Sequence, residues 1–296
     1  MRPSDILTLS WRQLKERKLR SILTILTVAV GVTTIIALSA QVEGAKVSII
    51  GSLGRLGSDT IILSVVGRMP FTDVDVARLM SLGGVSKVIP MLRMNTRVAG
   101  LDSPAILIGA SARDLADLLG EIKIVDGTLY YDAPAPQALI GHDVAVDSAG
   151  QTRYKAGQPI LLQIGQRQLT FTVIGVLDVY GIAGVMQPDT AIFIPLEYYN
   201  NLVRGSGYTV LIVKALSIDI VDSLIEIVRS IFGGRASITS IKYIAETVTN
   251  ITNQINLLLL AIAGTSFIAA GLGTLNIMMI SVLERVRAIG ILKAIG

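Results

Sequence analysis

Two uncharged runs decide what this chain can fold into. Residues 21–40, SILTILTVAVGVTTIIALSA, contain no charge, and at a rise of 1.5 Å per residue a helix of that length crosses a hydrocarbon layer of about 30 Å. Residues 247–283 contain none either, and from Leu257 onward the run LLLLAIAGTSFIAAGLGTLNIMMISVL is densely apolar. We read transmembrane helices over 21–40 and 257–283. A cleaved signal peptide is the competing reading of the first run, since a basic segment precedes it and Ala37-Leu38-Ser39 would serve for cleavage. An h-region of about 7 to 15 residues would be shorter than this.

Composition agrees with a membrane class. Half the residues are hydrophobic (51%), only 16% are charged, and the mean hydropathy is +0.64. The net charge of +4 is placed unevenly: residues 1–20 hold six Lys/Arg against two acids, and residues 284–296 hold three against one. A nucleic-acid-binding domain would carry a basic face of its own, so no nucleic-acid partner is expected. Basic residues flanking both spans (Arg12, Lys15, Arg17, Lys18 and Arg20; Arg285, Arg287 and Lys293) place both ends in the cytoplasm by the positive-inside rule. The middle of the chain is then extracytoplasmic, and the protein belongs in the cell membrane in contact with lipid.

The expected fold class is a membrane protein with two transmembrane helices, extended as stalk helices, flanking an α+β extracytoplasmic domain with two lobes. Ile244, Val248, Ile251, Ile255, Leu258 and Ile262 alternate by four and three, as do Leu38, Val42, Ala45 and Ile49 before Gly51 and Gly54 interrupt the pattern. Such stripes predict two stalk helices packed together; a chance stripe in a linker is the alternative. DTIILSVV, PAILIGA, QPILLQIG, QLTFTVIGVL, TAIFIPL and YTVLIVKA read as strands. TDVDVARLMSLGG reads as a helix capped by Thr72 or Asp73, and SIDIVDSLIEIVRSIFGG as a second. The resulting organisation is an amphipathic cytoplasmic segment 1–20, a first span 21–40, an extracytoplasmic domain 41–250 with an inserted lobe at about 100–199, a second span 257–283 and a cytoplasmic segment 284–296.

Catalytic chemistry is missing from this inventory. There is no cysteine, no Gly-x-Ser-x-Gly elbow, and a single histidine, His142, whose neighbour Asp143 makes a hydrogen-bonded loop residue of it. Asp73 and Asp75 precede a helix, where carboxylates cap free N–H groups, so no metal is expected. Gly51, Gly54 and Gly57 lack the Lys-Ser/Thr of a P-loop and read as a turn ending the stalk. The chain is expected to be no enzyme and to hold no cofactor.

SWRQLKERKLRSILTILTVAVGV and NIMMISVLERVRAIGILKAIG resemble the two most characteristic stretches of ABC-transporter permeases of the FtsX, LolC/LolE and MacB type. LGSDTIILSVVG, FTDVDVARLMSLGGVSKVIP, ILIGASARDLADLL, IVDGTLYYDAPAPQALIGHDVA, LTFTVIGVLDVYG and AIFIPLEYY resemble successive pieces of the MacB-like extracytoplasmic domain. The resemblance implies a permease that dimerises with a second permease copy and binds a separate ABC ATP-binding subunit, which would carry the ATP and Mg. It also implies that Glu284, Arg285, Arg287, Gly290, Ile291, Leu292 and Lys293 form the coupling segment that docks on the ATPase, and that the external domain transmits motion. Lipoprotein, peptide or drug export and control of an envelope enzyme all fall within the family. A third and a fourth span are expected after this motif, and the sequence stops at Gly296. A two-span receptor or scaffold with an external sensing domain is the alternative of a different class.

Two smaller expectations concern contacts. Ser266, Ala270 and Ala269, Gly273 form small-xxx-small pairs beside Asn276, a pattern for close helix packing with an interhelical hydrogen bond. Ile182, Val185 and Met186 sit among glycines between two strands, read either as a buried or mobile hairpin tip or as an apolar loop tip able to meet an extracytoplasmic protein or a lipophilic substrate.

Overall fold

A computed structural model describes residues 18–54, 56–99, 101, 104–147, 149–164, 166–181, 186–202 and 207–295. It divides into two compact units, Met1–Lys46 with Thr249–Gly296, and Val47–Val248. Helix α1 (Lys18–Gly54) and helix α7 (Ile241–Ile295) are unbroken, and both are long and apolar enough to cross a membrane, over Val28–Gly54 and Ile241–Ile280. The helix continues through Gly51 rather than stopping there. A Cβ at Gly51 would meet open space, so this glycine marks no special packing.

The α7 stripe differs from the expectation by one residue. Ile251, Ile255, Leu258 and Ile262 are 51%, 39%, 59% and 50% exposed, whereas Thr252 and Ala263 are 5% and 8% exposed. Thr249, Asn256 and Leu259 are partly shielded as well. One residue is a rotation of about 100°, so from Thr249 onward mostly small and polar side chains face inward, and Ile251, Ile255 and Ile262 face outward. Ile244 and Val248 are shielded as the stripe expects; from Ile251 onward the expected packing through the isoleucines is corrected, and the shielded heptad is Thr249, Thr252, Asn256, Leu259 and Ala263. The small side chains of Thr249, Thr252 and Ala263 permit close helix approach.

The second unit carries one ten-stranded sheet that changes partners along its longest strand. Its first four-stranded part has the order β10-β1-β9-β2, where β1 is Thr60–Val65, β2 Val85–Val98, β9 Val210–Ala215 and β10 Ala236–Ser240. All four pair antiparallel. Helices α2 (Asp73–Met80) and α6 (Val221–Phe232) cover one face of it. There Ile61, Leu63, Phe71, Leu79, Leu211, Val213, Leu224 and Val228 make a core, and Phe71 meets Phe232 edge to face. This is a split β-α-β arrangement.

Strand β2 then leaves its partner. Val85–Met91 pairs with β9, but Leu92–Thr96 pairs with β3 (Ala105–Ala110), and Arg97 and Val98 pair with β6 (Pro159–Ile164). The second lobe continues through β8 (Ala191–Pro195), β5 (Gln137–Ile140), β7 (Arg167–Leu177) and β4 (Ile124–Gly127). Between β3 and β4 lies α3 (Ala112–Leu119); the short α4 (His142–Ala145) and α5 (Leu196–Leu202) complete it. Gly127 in β4 has φ +81°, and a Cβ there would collide with the Ile174 carbonyl oxygen, so the edge strand lies close only because this residue has no side chain. Thr209 stitches the switch point: Arg93 N–H donates to its Oγ1 at 2.6 Å, and its own N–H donates to Met91 O at 3.1 Å.

Candidate functional site at the roots of the long helices

Ile49 and Leu53 share a face of the last turns of α1, four residues apart, and Leu56 follows in the turn just after the helix. Ile241, Ile244 and Ala245 share a face at the start of α7 by the same spacing. All six enter one apolar cluster, Leu53, Leu56 and Ile241 at 3%, 2% and 1% exposure and the others packed against it. The roots of both helices are thus core elements of the second unit, not tethers.

That cluster reaches both lobes. Ile62, Ile89, Met91 and Ile212 join it from the sheet face opposite α2 and α6, and Ile108, Leu115, Leu118, Leu119, Tyr130 and Phe193 join it from the second lobe. Alternation explains the sharing: along β2, Ile89 and Met91 face this cluster while Val88 faces the other. Each fully buried leucine or isoleucine adds about 1.5 to 3 kcal/mol of transfer free energy. A joint of this size does not hinge at low cost.

Hydrogen bonds fix the chain where it leaves the helices. After α1, Leu56 N–H donates to Leu53 O at 3.1 Å, Gly57 takes φ +86°, and the buried Thr60 hydroxyl donates back to Leu56 O at 2.6 Å. Before α7, the buried Ser240 Oγ accepts Tyr243 N–H at 3.0 Å as an N-cap. Lys242 in the first turn pairs with Asp222 of α6 at 2.6 Å.

Charged groups brace the first lobe at the other end of its helices. Asp75 accepts the Thr72 N–H at 2.8 Å and Arg235 Nη2 at 2.8 Å. Burial opposes its charge, but these hydrogen bonds prevail and hold its carboxyl below the usual carboxylate value. Tyr208 donates to Asp73 Oδ1 at 2.7 Å. Burial first, and the Asp73 hydrogen bond second, push its phenol up to about 12. Asp73 and Asp75 serve as helix N-terminal and bracing carboxylates; among the described residues no cluster of three or more His, Cys, Asp or Glu could hold a metal.

The other sequence-selected residues lie elsewhere. Met186 is not at an exposed loop tip: it is 4% exposed in the cluster that also holds Leu177, Tyr180 and Phe193. The Asp189 carboxylate, accepting Tyr180 and Gly181 N–H groups at 2.8 and 2.7 Å, holds the base of that loop in place. Ile182 and Val185 lie outside the described residues. In α7, Ser266, Ala269, Gly273 and Asn276 are exposed and Ala270 is half-buried, with open space beside Gly273. Ile255, Ile262, Ala269 and Asn276 follow at seven-residue steps, so the outward isoleucine stripe and the small-residue face form one continuous exposed seam. Helix α7 carries the backbone of 284–295; Gly290, Ile291 and Lys293 are exposed there, and the side chains of Glu284, Arg285, Arg287 and Leu292 lie outside the described set. His142 opens α4, its Nδ1 3.3 Å from Asp143 Oδ1.

Sequence reasoning missed α3 and Leu56. Ser111 before ARDLADLL is an N-cap signal, with its Oγ accepting Arg113 N–H at 3.3 Å, and Leu115, Leu118 and Leu119 give the helical spacing. Leu56 was hidden inside a glycine pattern read only as a turn.

The family model of the MacB-like periplasmic core domain matches residues 21–231. Among curated relatives, the macrolide export ATP-binding/permease protein MacB of Rhodospirillum rubrum is 28% identical, covering 99% of this chain and 47% of that protein. The pyoverdine export ATP-binding/permease protein PvdT of Pseudomonas fluorescens is 26% identical, covering 99% and 47%. The chain spans about half the length of the curated relatives it matches. Among solved structures, the periplasmic region of MacB from Actinobacillus actinomycetemcomitans covers 66% of this chain and 95% of that one, with 18% identity and a TM-score of 0.46. The extracellular domain of the ABC-type transporter YknZ from Gram-positive bacteria covers 61% and 100%, with 19% identity and a TM-score of 0.43.

Proposed function

We propose, from the premise that the chain belongs to the MacB-like periplasmic core domain family, that it is the permease part of an ABC exporter and converts ATP hydrolysis by a partner into motion of its external domain. The observation that carries this reading is the single apolar cluster in which the roots of α1 and α7 pack with both lobes. A displacement applied along α7 reaches the sheet without passing through a flexible linker. The ATP and its Mg lie outside residues 1–296 in this reading, since this stretch holds no P-loop.

The remaining parts take roles around that joint. The segment from Glu284 to Lys293 docks on the ATP-binding subunit from the cytoplasmic side, with Val286 and Ile291, both exposed, as apolar anchors and Gly290 allowing close approach. A second permease copy seats on the outward seam of α7, where Ile255 lies in the polar flank of the apolar run and Ala269 and Asn276 within it. Small residues there let backbones approach, and Asn276 supplies an interhelical hydrogen bond. The exported material belongs to the chemistry that extrudes from a membrane or an external vestibule: a lipophilic drug, a peptide or a lipoprotein.

Co-purification from the native membrane tests the docking. The wild-type chain should retain an ATP-hydrolysing subunit, and Arg285→Glu with Arg287→Glu should release it while the membrane level of the chain is unchanged. Full retention of that ATPase by the charge-reversed chain would sink the reading.

A further inference from the structure

Strand β2 carries a bulge between Val85 and Lys87, and beyond it Lys87 shares a sheet face with Ile89 and Met91. On β9, Lys214 is the direct partner of Lys87 in the antiparallel register and shares a face with Ile212. Two like charges opposed across strands destabilise a sheet unless something compensates them. Helix α3 from the second lobe lies over that face, burying Leu115, Leu118 and Leu119 in the shared cluster. From its rim Asp114 Oδ1 and Asp117 Oδ2 each reach Lys87 Nζ at 2.6 Å, and the charge of Lys214 also acts on Asp117.

We propose that α3 rests on the β2–β9 surface in a charge-keyed seat, formed by Asp114 and Asp117 against Lys87 and Lys214, which loosens when Asp117 loses its charge, so that the joint between the lobes responds to acid. The inference rests on the fold of the second unit and not on the transport reading. Neutral α3 leaves the two lysines opposed with nothing between them, so loss of the carboxylate charge acts twice: it removes an attraction and uncovers a repulsion.

The titration of Asp117 has the right sign. The Lys87 hydrogen bond holds the Asp117 carboxyl below its usual value against the effect of burial. Lys87, although burial lowers it, is raised overall by hydrogen bonds to Asp114 and Asp117. A carboxylate lowered by folding stabilises above its unfolded pKa and stops doing so as pH falls through its folded one. Among the described residues, ionisable groups on or beside α3 include Arg113 on the helix, Glu121 just beyond it, and Asp132, which accepts Ser111 Oγ and Ala112 N–H at its N-terminus. Tyr130, buried and raised well above its ordinary value by desolvation, stays neutral throughout.

Hydrogen exchange on the full chain in detergent at neutral pH tests the seat. Asp114→Asn with Asp117→Asn should speed exchange of the α3 amides about tenfold while α2 and α6 keep their protection, the pattern of a local opening. Adding Lys87→Met and Lys214→Met to that variant should restore most of the α3 protection, because the uncovered repulsion is then gone. Unchanged α3 exchange in the double variant, a rise spread equally over α2 and α6, or no recovery in the quadruple variant would each overturn the proposal.

Discussion

At the residue scale, Asp75 shows how one side chain serves two elements. It closes back on Thr72 at the start of α2 and binds Arg235 just before β10, so it ties the first helix of the lobe to its last strand. The sequence offered Thr72 or Asp73 as the cap, and the structure selects Thr72. The Asp75–Arg235 bond was not legible, because 160 residues separate the partners and no local pattern pairs them. Since folding lowers the Asp75 carboxyl, its contribution is present above the unfolded value of about 4 and disappears as pH falls through the folded value. Thermal unfolding of the full chain between pH 7 and pH 3 should therefore show a falling midpoint. Asp75→Asn should start lower and fall less over that range; an equal fall in both proteins would assign the acid sensitivity to other groups.

At the scale of elements, legibility followed how far each segment is governed by its own neighbours. The strands within QLTFTVIGVL and YTVLIVKA and the helix in SIDIVDSLIEIVRSIFGG are fixed by local pattern, and they form β7, β9 and α6. Strand β2 is not: Lys87, Pro90, Arg93 and Arg97 break its alternation, and it is held by three different partners along its length. The element that joins the lobes is thus the one the sequence marks least. Helix α7 teaches a related lesson, since hydrophobic periodicity finds the helix but not which stripe faces inward. Apolar residues face outward wherever the surroundings are lipid or another helix. The chain has no cysteine, so single cysteines report orientation directly. In native membranes Ile255→Cys should form chain-to-chain disulfides under mild oxidation and Thr252→Cys, 5% exposed, should not. The opposite result would mean that the second copy does not seat on the outward seam.

At the scale of the whole molecule, two helices that the sequence announces through uncharged length alone end in a core that it does not announce at all. Their apolar runs were legible because hydrocarbon tolerates no charge. Of their roots, Ile49 and Ile244 stood in the expected stripes and do pack against the core, whereas Leu53, Leu56 and Ile241 look like any helix end until the β2–β9 face and α3 close over them. The central claim is that this core moves as one piece with the roots of the helices. The measurement is the distance between nitroxides at Tyr243→Cys, exposed at the start of α7, and Gln168→Cys, exposed on the second lobe. It would be taken at neutral pH in the proposed assembly with the ATP-binding partner, without nucleotide and with ATP trapped. The account predicts one narrow distribution, identical in both states. A second population, or a shift on ATP binding larger than a label's own rotamer spread, would contradict it.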